Sequence, residues 1–283
     1  MSEPTVRVQH VKKDTVKIRL ILFSVLAVAL LLCAVFAEQL CPYDPYLQDL
    51  SNAKAAPSIA HPFGTDAYGR DMFSRVIIGS RSSVFSTLLL VAVITVIGTT
   101  VGVFCGWNGK WIDTMLMRVS DMFLAFPGLV FALAVAGVLG GGIQNAIVAL
   151  AAISWPKYAR IARSQTLSQK EAPYLMAAKL SGSSTGKILI KHILPNIIGP
   201  ILVTSMLDIG TMMMELAGLS FLGLGAKPPM AEWGSMMSDA RSLLKTVPWV
   251  TFAPGLAIFV SVMIFNLLGD TIRDYADPKN RGR

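Results

Sequence analysis

Charge is scarce in this chain, and long tracts have none at all. Only 15% of the 283 residues are Asp, Glu, Lys or Arg, against roughly a quarter in an ordinary soluble domain. The tracts Leu20 to Ala37, Ser82 to Gly109, Met122 to Pro156, His192 to Leu207 and Thr246 to Gly269 hold no Asp, Glu, Lys or Arg, which excludes a water-soluble globular domain. Cysteine is scarce too. Cys33, Cys41 and Cys105 are odd in number and two fall in apolar tracts, so neither a disulfide framework nor a cysteine metal site is expected, and the three read as small packing residues. His10, His61 and His192 are scattered, which excludes the facing constellation that a membrane-embedded enzyme needs. No basic cluster is interleaved with aromatics, so the net charge of +8 does not point to nucleic acid.

What is present is apolar: 53% of the residues are hydrophobic and the mean hydropathy is +0.58. A hydrocarbon core about 30 Å thick takes about 20 apolar residues of helix, and inside it the backbone must satisfy itself. Six spans are expected, near 19–38, 84–106, 122–140, 143–161, 196–223 and 248–270. The tract Met122 to Pro156 is too long for one helix, and Gly140-Gly141-Gly142 divides it into an outgoing and a returning one. The first apolar run exceeds a signal-peptide core and no small-residue cleavage site follows it, so it reads as a retained anchor.

The basic residues orient these spans. With the N-terminus inside, the cytoplasmic segments hold Arg7, Lys12, Lys13, Lys17, Arg19, Lys110, Arg118, Lys157, Arg160, Arg163, Lys170, Lys179, Lys187, Lys191, Arg273, Lys279, Arg281 and Arg283. The opposite side holds Lys54, Arg70, Arg75, Arg81, Lys227, Arg241 and Lys245. That imbalance places both termini in the cytoplasm. Gly98, Gly102 and Gly106 recur every four residues along the second span and make a groove for close helix packing.

The longest cytoplasmic connection, 162–195, is not composed like a linker. Pro173 opens a helix-compatible run through Leu180, Ser181-Gly182 ends it, and Ile188-Leu189-Ile190 leads towards Leu194-Pro195. Two short helices about a glycine turn are predicted. Gly182-Ser183-Ser184-Thr185-Gly186-Lys187 imitates a phosphate-binding loop, but it has three residues between the glycines instead of four, and Ile188 stands where Ser or Thr is required. The chain is not expected to bind ATP.

Met176-Ala177-Ala178, Gly182 and Pro195 fall on the spacing of the EAA loop of bacterial ABC importer permeases, with Met176 in place of the usual glutamate. Other stretches resemble the dipeptide, oligopeptide and nickel branch of that family. They include Phe63-Gly64-Thr65-Asp66, Gly69-Arg70-Asp71, Ser74-Arg75, Gly79 and Arg81-Ser82-Ser83. Further on come Met117-Arg118, Asp121, Ala125-Phe126-Pro127, Gly218 to Gly225, Glu232-Trp233-Gly234, Phe265 to Asp270, Arg273-Asp274 and Asp277-Pro278. The resemblance covers about residues 42 to 279. It implies an all-α integral membrane protein of the type I importer fold in a bacterial inner membrane. Residues 1–80 would form a tail, first helix and large outer loop, 81–272 the permease domain, and 273–283 a cytoplasmic tail.

The resemblance also implies partners: a second permease, two ATPases that carry the ATP and Mg, and an extracytoplasmic substrate-binding protein. The loop residues Met176, Ala177, Ala178, Gly182 and Pro195 would couple to the ATPase. This chain would form half of a pathway for nickel, a metal chelate, or di- or oligopeptides; the tract Asp208 to Asp277 looks somewhat more nickel-like. The competing reading is a self-sufficient secondary transporter or channel, although paired interrupted helices are not evident.

Acids within a span are functional candidates by default. Asp208 and Glu215 are seven residues apart, on one helical face about 10 Å apart along the axis. Either they line the translocation path and meet a cationic group, or they satisfy polar groups of the neighbouring permease. Arg70, Asp71 and Arg75 either contact the binding protein or pair with one another. Met212-Met213-Met214 face different directions and read as packing, and Trp107, Trp111, Trp233 and Trp249 as interfacial belt residues.

Overall fold

The computed structural model describes residues 13–276, and every regular element among them is helical apart from one isolated antiparallel bridge between Thr65 and Asp71. The motif residues Asp277 and Pro278 and the basic residues Arg7, Lys12, Lys279, Arg281 and Arg283 lie outside the described residues. The order is α1 (Lys13–Val35), α2 (Ala37–Leu40), α3 (Met72–Asn108), α4 (Lys110–Leu124), α5 (Gly128–Val138), α6 (Ile143–Lys170), α7 (Pro173–Leu180), α8 (Thr185–Ile188), α9 (Leu194–Phe221), α10 (Trp233–Asp239) and α11 (Trp249–Ala276). Short 3₁₀ turns lie at Leu50–Asn52 and Arg241–Leu243, and a π-helical segment, Leu189–Ile193, joins α8 to α9.

Four helical stretches are long and apolar enough to cross a membrane: Thr15–Val35, Met72–Asn108, Thr185–Phe221 and Trp249–Ala276. The pair α4 and α5 adds a fifth if taken as one broken span. The third expected span, 122–140, is not a single helix. Pro127 has no amide hydrogen and disfavours helical backbone before it, so α4 ends at Leu124 and α5 starts at Gly128, with a bend of 92°. The glycine triplet does divide the outgoing from the returning helix: Gly140, Gly141 and Gly142 all have positive φ, and the Gly142 amide donates to the Leu224 carbonyl.

Two boundaries lie well outside those read from charge. α3 begins at Met72, so a division between residues 80 and 81 falls inside a helix. The reason is Asp71, whose carboxylate accepts from the Ser74 amide at 2.8 Å and caps the helix, while Arg75 and Arg81 had made this turn look like loop. α6 likewise continues through Lys170, nine residues past its expected end.

The centre of the molecule is the crossing of α3 and α6. A Cβ at Gly98 would collide with Tyr158 and the Trp155 carbonyl, one at Gly102 with Ala159 and Ala162, and one at Gly106 with Thr166 and Arg163. The three glycines therefore form the groove anticipated from their spacing, and Tyr158, Ala159, Ala162 and Thr166 of α6 fill it. α9 and α11 pack beside this pair, with Gly269 against Leu207 and Gly210 against Asn266.

Candidate functional site: the 173–195 loop and the Lys157–Asp208 pair

α7 starts with Pro173 in the first turn, where a missing amide hydrogen is harmless. It ends in a Schellman motif: the Gly182 amide donates to the Lys179 carbonyl at 3.0 Å and the Ser183 amide to the Ala178 carbonyl at 3.1 Å. Gly182 supplies the left-handed turn with φ of 73°. The chain then re-enters helix at Thr185 and passes through the π segment, where the Leu194 amide donates to the Leu189 carbonyl. Pro195, which cannot donate, follows at once.

The loop is fastened on three sides. Leu175 is fully buried. The Tyr174 hydroxyl donates to Gln169 Oε1 on α6 at 2.8 Å and accepts from Asn196 Nδ2 on α9 at 3.2 Å. Lys179 stands 4.8 Å from the centre of the Trp107 ring at the end of α3, and Lys170 donates to the Trp107 carbonyl at 2.5 Å. What remains outward is apolar and small: Met176 is 55% exposed and Leu180 90%, with Ala177 also exposed and Ala178 half-buried. Met176 thus sits on an open face, where among the described residues it meets neither the core nor a polar partner.

α4 is tied to α6 by two ion pairs, Arg160 to Asp121 at 2.5 Å and Arg163 to Asp113, where both carboxylate oxygens are engaged at 2.5 and 2.6 Å. The motif residue Asp121 is therefore a strut.

Asp208 is buried and engaged within the chain. Lys157 Nζ donates to one carboxylate oxygen at 2.6 Å and the Tyr158 hydroxyl to the other at 2.9 Å. Lys157 was counted with the basic loop; it lies instead near the middle of α6, level with Asp208 on α9. It shares the expected span 143–161 with Arg160, so a charge within a span did not by itself single it out. Glu215 is half-buried and makes no hydrogen bond or ion pair among the described residues.

Arg70, Asp71 and Arg75 are all buried, and the structure brings them together. Arg70 Nε contacts Asp66 at 2.6 Å and Arg75 Nη1 donates to the Pro45 carbonyl at 3.1 Å. Asp71 caps α3 and lies 2.9 Å from His61 Nδ1. Across from the arginines, burial pushes the Asp239 carboxyl above its ordinary value while Arg70 and Arg75 pull it down. The motif residue Glu232, given no role from sequence, is fully buried: it caps α10 through the Gly234 and Ser235 amides and accepts from the Ser83 hydroxyl at 3.2 Å.

The belt reading of the tryptophans needs correction. Trp233 is buried, its indole N–H donating to the Val76 carbonyl at 2.9 Å. Trp249 is part-buried against Thr65, and Trp107 is a cation platform. Trp111 alone of the four is widely exposed.

The family model described as "Binding-protein-dependent transport system inner membrane component" matches residues 98–282. A dipeptide transport system permease protein of Alkalihalophilus pseudofirmus is 41% identical over 255 residues, covering 90% of this chain and 84% of the relative. A glutathione transport system permease protein of Pectobacterium atrosepticum is 43% identical over 260 residues, covering 91% and 85%. Among solved structures, an inward-facing methionine ABC transporter superposes with a TM-score of 0.57 at 18% identity, covering 73% of this chain and 98% of that one. An amino acid ABC transporter gives 0.53 at 20% identity, covering 71% and 94%. The nickel-like leaning of the tract after Asp208 gains no support, since these relatives are named for dipeptide and glutathione. Helical fold, motif order and relatives agree, and the chain belongs to the family of binding-protein-dependent transport system inner membrane components, the permease subunits of ABC importers.

Proposed function

We propose that this chain is one of two permease subunits of a bacterial inner-membrane importer for dipeptides or similarly short peptides. The peptide specificity rests on the names of the relatives. Six spans are proposed, with both termini cytoplasmic: α1, α3, the broken pair α4–α5, the first half of α6, the α8–α9 rod and α11. A second permease completes the pathway, two separate ATPase subunits hold the ATP and Mg, and an extracytoplasmic binding protein delivers substrate to the surface built by 41–71 and 222–248.

The observation that carries this reading is the 173–195 loop. A helix that leaves Met176, Ala177 and Leu180 bare while tied to α3, α6 and α9 is shaped to receive another protein and to pass its movement to three spans. Met176, Ala177, Ala178, Gly182 and Pro195 are assigned to that coupling. Arg70, Asp71 and Arg75 hold the shape of the delivery surface from beneath.

The test is the complete importer in proteoliposomes with Ala177→Arg. Assembly and binding-protein docking are expected to survive, with peptide-stimulated ATP hydrolysis and uptake both lost. Unchanged uptake sinks the coupling assignment, and uptake by this chain alone under an ion gradient sinks the importer reading in favour of a secondary transporter.

A further inference from the structure

Lys157 lies 14 residues into α6 and Asp208 14 residues into α9, so each is about 21 Å from the start of its helix. In helices of 28 residues that is the middle of both. The Lys157 side chain is nevertheless 52% exposed, while that of Asp208 is 7% exposed. Lys157 is four residues from the inner end of the span expected at 143–161, so its open ammonium stands on the cytoplasmic side of the face shared by α6 and α9, where a charged head is readily solvated.

The two partners of Asp208 differ in kind. Tyr158 is wholly buried and is locked against Gly98 of α3. Lys157 approaches from the open side on four rotatable bonds. The carboxylate therefore keeps one fixed donor if the lysine turns away. Two turns farther along the same face stands Glu215, which makes no hydrogen bond or ion pair among the described residues and feels the Lys157 charge only at a distance. The local set of one cation and two acids leaves one negative charge uncompensated.

We propose that Lys157 and Glu215 together form a binding element for a zwitterionic di- or tripeptide in transit, Lys157 taking the C-terminal carboxylate and Glu215 the N-terminal ammonium. The spacing fits. Glu215 is about 10 Å along the axis from the Lys157–Asp208 pair, and an extended chain of two or three residues spans about 7–10 Å. Asp208 and Tyr158 position the lysine and hold the acid satisfied when the lysine moves to substrate. The element deepens the peptide reading above and rests on it.

The experiment loads the binding protein with a labelled tripeptide in free, N-acetylated or C-amidated form and measures uptake per loaded binding protein by the complete importer in proteoliposomes. The wild type is expected to prefer the free peptide to either blocked form by about tenfold, the size of one charge-assisted contact. Glu215→Gln should abolish only the preference over the N-acetylated peptide, Lys157→Met only that over the C-amidated one, and Lys157→Arg should retain it. Variants that lose uptake of all three peptides alike overturn the proposal in favour of a structural role. Variants that keep both preferences overturn it as well.

If the neutral variants fail to assemble, a complex that keeps Glu215 and carries Thr211→Cys, one turn away on α9 and exposed, with serine at Cys33, Cys41 and Cys105, is titrated with a cationic thiol reagent. Free peptide should slow labelling at least several-fold more than N-acetylated peptide, and equal protection overturns the assignment. A wild type that imports no peptide of any form refutes the peptide reading itself, a result distinct from all of these.

Discussion

Gly182 is exposed, and a side chain there would meet nothing within 4 Å; only its backbone angle demands glycine. A φ of 73° costs about 1–2 kcal/mol for a residue with a Cβ. Gly182→Val is therefore expected to loosen α7 without touching the core: peptide-stimulated ATP hydrolysis falls while the thermal midpoint of the purified complex hardly moves. Asp71→Ala is the opposite case. It removes an N-cap worth about 0.5–2 kcal/mol together with the contacts to His61 and the Ser74 hydroxyl, so the melting midpoint in detergent should drop clearly. The spacing of small residues and of Gly182 could be read from sequence because local turn chemistry fixes them. The roles of Glu232 and Lys157 could not, because their partners Ser83 and Asp208 lie 149 and 51 positions away. A charge near an apolar tract is assigned to a loop unless that partner is known.

Packing between elements explains both the successes and the misses of the span boundaries. The glycine ladder on α3 was legible, and its consequence is testable: Gly102→Val places a branched side chain against Ala159 and Ala162. Overpacking of this kind costs about 1–3 kcal/mol, and the tightest contact is the Ala159 backbone carbonyl, which cannot be trimmed, so reduced yield of assembled complex on size exclusion is expected. The bend at Pro127 was hidden because α4 and α5 together are as apolar as one span. α4 turns its apolar residues Trp111, Met115, Val119 and Met122 outward and its acids Asp113 and Asp121 towards α6. That inversion suits a helix with lipid on one side and protein on the other.

At the scale of the whole molecule, residue labelling from the two faces of the membrane checks the proposed topology. In a background with serine at Cys33, Cys41 and Cys105, Ile59→Cys lies in the 41–71 segment and is fully exposed; it should react with an impermeant reagent in intact cells. Leu180→Cys should react only after permeabilisation, and the reverse pattern inverts the topology. The helical class was legible because lipid leaves the backbone few choices, whereas the placement of α10 and the 41–71 segment was not, since buried arginines and Trp233 do that work through contacts far apart in sequence. The run Thr185–Phe221 is helical throughout, with α8 joined to α9 through the π-helical segment. It is a lever. From Thr185 to Asp208 is about 35 Å of rod, so a tilt of about 10° at the loop end swings the Asp208 level sideways by about 6 Å, more than twice the length of its bond to Lys157. The π-helical notch at 189–193 lies next to the pivot, where a helix bends most readily.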